Sequence, residues 1–251
     1  MNIKKFLVGA ATSALMLGAL AVPAFAATCT QTGFVRDSIN LTAAQIGGDV
    51  TGTLDATGCN IGVYYDSSTT SGDVTDAEIF GANYYGVVVN GGPGDVSVDV
   101  IGSDIHNIGE VPFNGAQHGN AIYYYGYGTT GTVTGEVSGN TVYQYQKGGI
   151  IVNGEKSTVS VTDNTVTGLG KVDFIAQNGI QFGFGSNGIV SGNNISGNFY
   201  TGEVGVGPNP GGQNPPGWEY ASGGLLLWQP GDLKHSMNHF SGNQMNVFMV
   251  P

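Results

Sequence analysis

One short pattern recurs along the chain: two apolar residues stand five positions apart, and in four copies an asparagine lies between them. The pairs are Val74 and Ile79, Val100 and Ile105, Val137 and Val142, Val161 and Val166, Val190 and Ile195, and Phe240 and Met245. After a variable loop, five of the six pairs are followed by a small residue and a largely apolar run, as in Gly149-Ile150-Ile151-Val152. Short strands of this kind cannot bury an apolar face alone, so the copies must stack.

The distances between copies indicate the size of one stacked unit. Successive second positions of the pairs lie 26, 37, 24, 29 and 50 residues apart. The shortest spacing fits one coil of a β-solenoid, and the longer ones fit the same coil with a loop insertion. Asn140, Asn164, Asn193 and Asn243 share one position, where stacked amides can hydrogen-bond along the column. Because glycine is abundant and strong helix formers are scarce, we predict an all-β solenoid of about seven coils.

The repeat motifs also resemble those of a known class. The G-N-T-V and D-N-T-V segments at Gly139 and Asp163 are followed by G-G-I and N-G-I, and the G-N-N-I segment at Gly192 is followed by G-G-L. They are similar to the right-handed parallel β-helix repeats of the pectate-lyase-like superfamily. Residues 55–63 and 173–181 resemble exported bacterial β-helix proteins of unassigned function. The resemblance implies a β-helix domain over residues 58–251, with residues 27–57 as an N-terminal cap segment.

The N-terminus has the pattern of an export signal. Lys4 and Lys5 precede an apolar run over residues 6–22, and Ala24-Phe25-Ala26 is a small-x-small cleavage site. We therefore predict a signal peptide over residues 1–26 and a secreted, extracellular or periplasmic protein. No later stretch is apolar for long enough to span a membrane, so we expect no membrane span after cleavage.

Cysteine usage and charge narrow the prediction further. Cys29 and Cys59 are the two cysteines, and an oxidising compartment favours a disulfide between them, with two free thiols as the alternative. The formal net charge is −11, and the loss of Lys4 and Lys5 with the signal peptide makes it −13. Such a chain is not expected to bind nucleic acid through a basic patch.

The fixed gap within each pair allows the coils to be aligned, so that outward columns can be read. One column contains Asp73, Asp99 and Glu136, and a second contains Glu78 and Asp104. Carboxylates in adjacent strands repel one another, so either water screens them or a cation such as Ca²⁺ binds between them. A third column contains Phe80, His106 and Tyr143, whose rings can stack as a structural ladder or offer faces to a sugar.

The loop insertions cover residues 107–119, 144–148, 167–178 and 197–223. They fall at the same point of each coil, so stacking places them along one edge, and such an edge is often a binding face. Candidate catalytic residues there are Glu110, His118, Lys147, Lys171, Asp173 and Glu203, and candidate sugar-binding residues are Tyr145, Gln177, Tyr200 and Trp218. A lysine could abstract a proton from a uronate sugar if burial lowered its pKa.

Two functions remain open at this stage. The favoured one is a non-catalytic secreted or cell-surface module that binds glycans or cations, or serves a structural role. The alternative is a carbohydrate-active enzyme, either a polysaccharide lyase or a glycoside hydrolase, acting at the loop edge. The N-T-D, D-D and G-H-G segments of polygalacturonase-like enzymes are absent from the sequence, and the only arginine after the leader, Arg36, precedes the repeats. These absences favour the non-catalytic function.

Overall fold

The computed structural model describes residues 28–202 and 221–250, and these residues form β-strands without any helix. No helix that could cross a membrane is therefore found among them. The strands in chain order are β1 (Thr30–Arg36), β2 (Ile39–Ile46), β3 (Val50–Asp55), β4 (Ile61–Asp66), β5 (Val74–Phe80), β6 (Tyr85–Asn90), β7 (Val96–Ser97), β8 (Val100–Ile101), β9 (Asp104–Ile108), β10 (Asn120–Tyr125), β11 (Val133–Ser138), β12 (Thr141–Tyr145), β13 (Gly148–Asn153), β14 (Ser157–Thr162), β15 (Thr165–Val172), β16 (Asn178–Gly183), β17 (Asn187–Ser191), β18 (Asn194–Tyr200), β19 (Gly223–Trp228), β20 (Leu233–Ser236), β21 (His239–Ser241) and β22 (Met245–Val250).

The strands form two sheets. The nine-stranded sheet has the order β1-β2-β4-β6-β10-β13-β16-β19-β22, and the remaining strands form a thirteen-stranded sheet. The consecutive strands β1 and β2 form the one antiparallel pair among the described strands, and all other neighbours in the nine-stranded sheet are parallel and separated in sequence by strands of the other sheet. Parallel neighbours require such a crossover. The all-β prediction is confirmed, and the parallel arrangement agrees with a solenoid-like fold.

The register confirms most of the alignment read from the sequence. Val74, Val100, Val137, Val161 and Val190 pair in succession in the thirteen-stranded sheet. The second members of the pairs, from Ile79 to Ile195, align in the same way. All of these side chains are buried in one core cluster between the sheets. Their burial explains the fixed gap, because a one-residue slip would turn every apolar side chain outward.

The alignment of the last copy was wrong. Phe240 pairs with Ile195 and His235 pairs with Val190, whereas Met245 lies in the nine-stranded sheet beside Gly223. The five-residue gap fits both His235 with Phe240 and Phe240 with Met245. The true last copy is His235 with Phe240, and a search for pairs of apolar residues missed it because its first residue is a histidine.

The asparagine column exists, with one different member. The Asn164 amide oxygen accepts hydrogen bonds from the Asn140 backbone N and Nδ2 at 3.0 and 2.9 Å. The Asn193 amide oxygen accepts the corresponding two hydrogen bonds from Asn164. The ladder then continues to Asn238 instead of Asn243. Asn243 belongs to a second ladder, in which its oxygen accepts hydrogen bonds from Asn198. These ladders satisfy buried polar groups where the chain bends.

The parallel arrangement extends into the segment predicted as a cap. Strand β2 pairs with β4 and β3 pairs with β5, both in parallel, so parallel pairing begins before residue 58. The predicted disulfide is confirmed: Cys29 and Cys59 are bonded, with their Cα atoms 5.4 Å apart. It fastens the chain just before the β1–β2 hairpin to the turn that precedes β4.

Candidate functional site

The β1–β2 hairpin places polar residues next to β6. Asp37 and Ser38 form its turn, with φ angles of 49° and 63°. Positive φ at both central residues is the geometry of tight two-residue hairpin turns, which suit the twist of the flanking strands. Phe34 of β1 contacts the rings of Tyr64 and Tyr85 at 6.0 and 6.1 Å between centroids, which holds the hairpin against the sheet. The turn therefore stands in a fixed position.

The first loop insertion is held against the same place by one buried side chain. The Gln146 Oε1 atom accepts hydrogen bonds from the backbone N atoms of Glu110 and Asn114, both at 3.1 Å. Its Nε2 atom donates to the carbonyl oxygens of Ala116 and His118 at 2.8 and 3.3 Å. A fully buried glutamine with both ends satisfied fixes the loop firmly. It sets the positions of Glu110 and His118.

His118 lies between two carboxylates. Its Nε2 atom is 2.8 Å from Glu110 Oε1, and its Nδ1 atom is 3.7 Å from Asp37 Oδ2. The imidazole stacks on the ring of Tyr84, with 3.8 Å between centroids and 17° between planes. Burial, followed by the nearby charge of Asp37, raises the pKa of Tyr84. The loop edge and the hairpin turn thus meet at this histidine.

Arg36 completes the cluster with a partly buried positive charge. Its Nη2 atom donates to the Tyr123 hydroxyl at 2.8 Å, and its Nε atom lies 3.3 Å from the Tyr85 hydroxyl. The guanidinium carbon lies 5.0 Å from the Tyr125 ring centroid, a cation–π distance. Burial alone lowers the pKa of Arg36, but the interactions with Tyr123 and Tyr85 outweigh it and raise that pKa. In the described part of the chain no carboxylate lies within 4.0 Å of this guanidinium.

Part of this cluster lines a half-open cavity of about 440 Å³, and the lining residues are Val35, Arg36, Asp37, Ser38, Tyr85, Gln117 and His118. Its size lies within the range of small-ligand sites. The lining offers N–H donors from the arginine and the amide, carboxylate and hydroxyl acceptors, and a tyrosine ring. A ligand with many hydroxyl groups matches this mixture, because each hydroxyl both donates and accepts. We call this the hairpin cavity.

Of the predicted catalytic residues, the structure brings Glu110 and His118 together and leaves Lys147 apart. Lys147 Nζ donates to the carbonyl oxygen of Ala176 at 2.9 Å and does not line the hairpin cavity. Burial lowers the pKa of Lys147 from 10.5 to about 8. A lysine base was expected to need a pKa lowered by burial, and Lys147 has one. Its ammonium group is, however, hydrogen-bonded to a loop carbonyl.

The pKa of Lys147 predicts a specific pH dependence. Between pH 8 and 10.5 the folded protein releases this proton while the unfolded chain keeps it. The free energy of unfolding should therefore gain a rising contribution with pH in this window. The contribution is on the order of 2 kcal/mol, from about 1.4 per pKa unit reduced by solvent screening. Lys147→Met should abolish it, whereas Lys171→Met at an exposed lysine should not. Identical pH curves for Lys147→Met and wild type, measured by urea denaturation, would contradict the assignment.

Two predicted sugar-binding residues are structural instead. Tyr145 is completely buried, and its hydroxyl donates to Asn198 Oδ1 at 2.6 Å. Gln177 is also completely buried. Its Oε1 atom accepts a hydrogen bond from Leu169 N, and its Nε2 atom donates to the carbonyl oxygens of Tyr145 and Gln146. Neither can reach a sugar. Both predictions were wrong because residues near a loop were taken as surface residues, whereas these side chains point inward.

The other predicted loop residues do not join the cluster. Lys171 is exposed, with its Nζ 5.2 Å from the Phe199 ring centroid, and Asp173 is exposed as well. Tyr200 is half-buried at the end of β18. The signal peptide over residues 1–26, Glu203 and Trp218 lie outside the described residues.

The acidic columns are in register as predicted, and in the first column the aspartate oxygens bond to the backbone of the next coil. Asp73 Oδ1 accepts a hydrogen bond from Asp99 N at 2.9 Å, and Asp99 Oδ1 accepts one from Glu136 N at 2.7 Å. In the second column, Glu78 Oε1 lies 3.4 Å from His106 Nε2, and burial raises the pKa of Asp104. Over residues 28–202 and 221–250 no group of three His, Cys, Asp or Glu is arranged to hold a metal ion. The acidic columns, for which water screening and Ca²⁺ binding were the two alternatives, form no such group within these residues.

The aromatic column is confirmed as a ladder. Phe80, His106 and Tyr143 stack in succession, with centroids 5.3 and 4.9 Å apart and planes within 16°. His106 is largely buried between the other two rings. With its faces covered, this imidazole is part of the ladder and offers no face to a sugar.

Sequence reasoning missed Arg36, Asp37 and Tyr85 as site residues. The repeat search placed the first two in a cap and gave no sign that the hairpin folds against the sheet. Arg36 and its partner Tyr123 are 87 positions apart. The one local signal was the polar Asp37-Ser38 pair between two strand-like segments, which is typical of a turn.

Comparisons of the chain with protein-family models, curated proteins and solved structures found no match.

Proposed function

We propose that this chain is a secreted or cell-surface β-solenoid that binds a neutral glycan, without cleaving it, in the hairpin cavity. The observation that carries the proposal is the cavity itself, whose lining combines opposite charges at Arg36 and Asp37 with neutral hydrogen-bonding groups. We also propose the finer architecture, a right-handed parallel β-helix of about seven coils related to the pectate-lyase-like superfamily. Parallel strands joined by a crossover wind right-handedly in nearly all proteins, which supports that hand.

Export is part of the proposal. The leader-like residues 1–26 support secretion, and the bonded cysteines fit an oxidising compartment. A glycan outside the cell is an available ligand for such a protein.

Charge favours a neutral glycan over an acidic one. Arg36 and Asp37 place one positive and one negative group at the cavity. The chain as a whole carries a net charge of −11, which repels polyanions. Sugar hydroxyls can accept from the guanidinium and donate to the carboxylate at the same time, and such charge-assisted hydrogen bonds are the stronger kind.

The geometry at His118 supports binding more than cleavage. Glycosidases need two carboxyl groups separated by free space for the glycosidic bond and a water molecule. Here Asp37 and Glu110 lie on opposite sides of the His118 ring, so the imidazole fills the space between them. The carboxylates can position the histidine but cannot attack a bond together.

A polysaccharide lyase is the second candidate, favoured by one observation. The pKa of Lys147, lowered to about 8 by burial, suits a general base near neutral pH. Against it, Lys147 Nζ is bonded to Ala176 O and lies outside the cavity lining. Release of unsaturated sugar products from polyuronate by wild type, and its loss in Lys147→Met, would establish this alternative.

Affinity electrophoresis through gels that contain galactomannan, hydroxyethyl cellulose or xylan tests the binding proposal. Wild type should be retarded by at least one polymer. Asp37→Asn keeps a residue that tolerates positive φ but removes the charge, and it should weaken binding about tenfold, as expected for a hydrogen bond to a charged group. Gln117→Ala should weaken it less, and Lys156→Met, at an exposed lysine outside the cavity lining, should change nothing. Unretarded migration of wild type in all three gels would reject the proposal.

A further inference from the structure

We infer that the glycan site continues beyond the hairpin cavity onto an aromatic platform formed by Tyr125, Tyr127, Phe184 and Trp228, where successive sugar rings of one neutral polysaccharide chain stack. This inference rests on the proposed function and extends it, because it assigns a polymer rather than a single sugar as the ligand. The platform lies where strands β10, β16 and β19 end, along one edge of the nine-stranded sheet.

The four rings form one connected series. Tyr125 and Tyr127 have centroids 6.5 Å apart, Tyr127 and Phe184 5.8 Å, and Phe184 and Trp228 6.5 Å. Tyr127 is 55% exposed and Phe184 is 41% exposed, while Trp228 is half-buried. Large aromatic side chains usually bury most of their surface, and a contiguous exposed patch of them marks a binding surface.

Phe184 occupies a corner that the three preceding coils give to glycine and the following coil gives to Gln229. At this corner the backbone N of each residue donates to the last strand residue of the next coil, and the residues are Gly91, Gly126, Gly154, Phe184 and Gln229. Phe184 has a φ of 58°, a left-handed conformation that costs free energy for a bulky side chain. Its ring gains limited burial in return. Gln229 adopts the same conformation in the next coil, with a φ of 47°, so the feature that suits an external ligand at this corner is the exposed aromatic ring of Phe184.

The surface beside the rings is polar and stepped. Tyr125, Asn153, Gly183 and Trp228 are in register in adjacent strands, so Gly183 leaves a step between an amide and an indole. A Cβ atom at Gly183 would lie 2.8 Å from Asn153 Oδ1 and would close that step. The same oxygen accepts a hydrogen bond from Gln181 Nε2 at 3.0 Å. Asn153 is buried, so the half-buried Gln181 amide is the polar group beside these rings that a sugar hydroxyl could reach.

The platform is continuous with the hairpin cavity. Tyr85, which lines the cavity, stacks on Tyr123 with 5.1 Å between centroids, and Tyr123 contacts Tyr125 at 5.6 Å. Arg36 bridges the same junction, since it lines the cavity and lies 5.0 Å from the Tyr125 ring centroid. Tyr125 is the half-buried ring at which this series reaches the surface. A chain bound in the cavity can therefore extend onto the platform, which favours a linear glycan as the occupant.

Isothermal titration calorimetry with short and long oligosaccharides tests the platform. The ligands are the disaccharide and the hexasaccharide of the mannose, cellulose and xylose series, which correspond to the three gel polymers. Wild type should bind a hexasaccharide at least about tenfold more tightly than its disaccharide, because stacking adds affinity for each further ring. Phe184→Gly, which relieves the corner strain, and Trp228→Ala should reduce this preference to about twofold while leaving disaccharide affinity unchanged. Tyr143→Ala, which removes a half-buried ring from the other sheet, is the matched control.

The outcomes separate the two proposals. If Asp37→Asn weakens the disaccharide but Phe184→Gly and Trp228→Ala keep the full hexasaccharide preference, the platform is overturned and the cavity stands. If the platform variants lose the preference but Asp37→Asn binds as wild type does, the cavity assignment is overturned. If wild type binds none of the oligosaccharides, both are overturned.

Discussion

Replacing Asn164 with alanine should lower the free energy of unfolding by roughly 3–5 kcal/mol, since each buried polar group left without a partner costs about 1–3 kcal/mol. Asn164 is completely buried, and its oxygen accepts from the backbone N and Nδ2 of Asn140. Its Nδ2 donates to the Val137 carbonyl oxygen at 2.8 Å. Alanine removes both ends of this amide at once. Water cannot replace them, because the site is closed by the coils on either side.

Two matched variants make this result interpretable in urea denaturation. Asn194 lies one coil further on with its side chain exposed, so Asn194→Ala should cost less than about 0.5 kcal/mol. Asn238 ends the ladder and is half-buried, so Asn238→Ala should fall between the two. Equal and small effects of Asn164→Ala and Asn194→Ala would mean that the ladder does not hold adjacent coils together.

Loss of the disulfide should have the next largest effect. Cys29 and Cys59 are separated by 30 positions, and closing a loop of that length in the unfolded chain corresponds to about 3–4 kcal/mol. We expect the Cys29→Ser, Cys59→Ser double variant to lose most of that stability. Because the bond anchors the hairpin that carries Arg36 and Asp37, glycan binding should also weaken in this variant.

The reductant control identifies the source of the effect. Dithiothreitol should lower the melting temperature of wild type to that of the double serine variant, and should leave that variant unchanged. A wild-type melting temperature that does not respond to complete reduction would show that the N-terminal hairpin is held by packing alone.

The parts of the fold that follow a period could be predicted from the sequence. The five-residue gap from Val74 to Ile195 is imposed by burial in every coil, so it fixed both the register and the neighbours of each outward residue. It failed at His235, where a polar residue stands at a position that is apolar in the other copies. The repeat therefore predicts the register only in those coils whose sequence follows the pattern.

The candidate site could be predicted only in part. Glu110 and His118 could be named as candidates because both belong to the insertion over residues 107–119, where they lie 2.8 Å apart. Arg36 and Asp37 were missed because a hairpin outside the repeat folds against β6, a contact that no period encodes. Tyr145 and Gln177 were wrongly assigned to sugar binding because both lie next to loops in the sequence. Their side chains are buried by hydrogen bonds to residues far away in sequence, such as that of Tyr145 to Asn198, and the local sequence does not reveal these bonds.

Distances between spin labels test the stacking of coils most directly. Glu78, Asp104, Thr141, Thr165, Asn194 and His239 pair in succession across six adjacent strands, and both native cysteines are already bonded. With one label at position 78 and a second at 165, 194 or 239, electron–electron distances should increase by about 4.8 Å per strand, to roughly 14, 19 and 24 Å. Equal steps despite unequal sequence separations are the predicted result. Distances that grow with the number of intervening residues, or that do not increase in this order, would contradict the account.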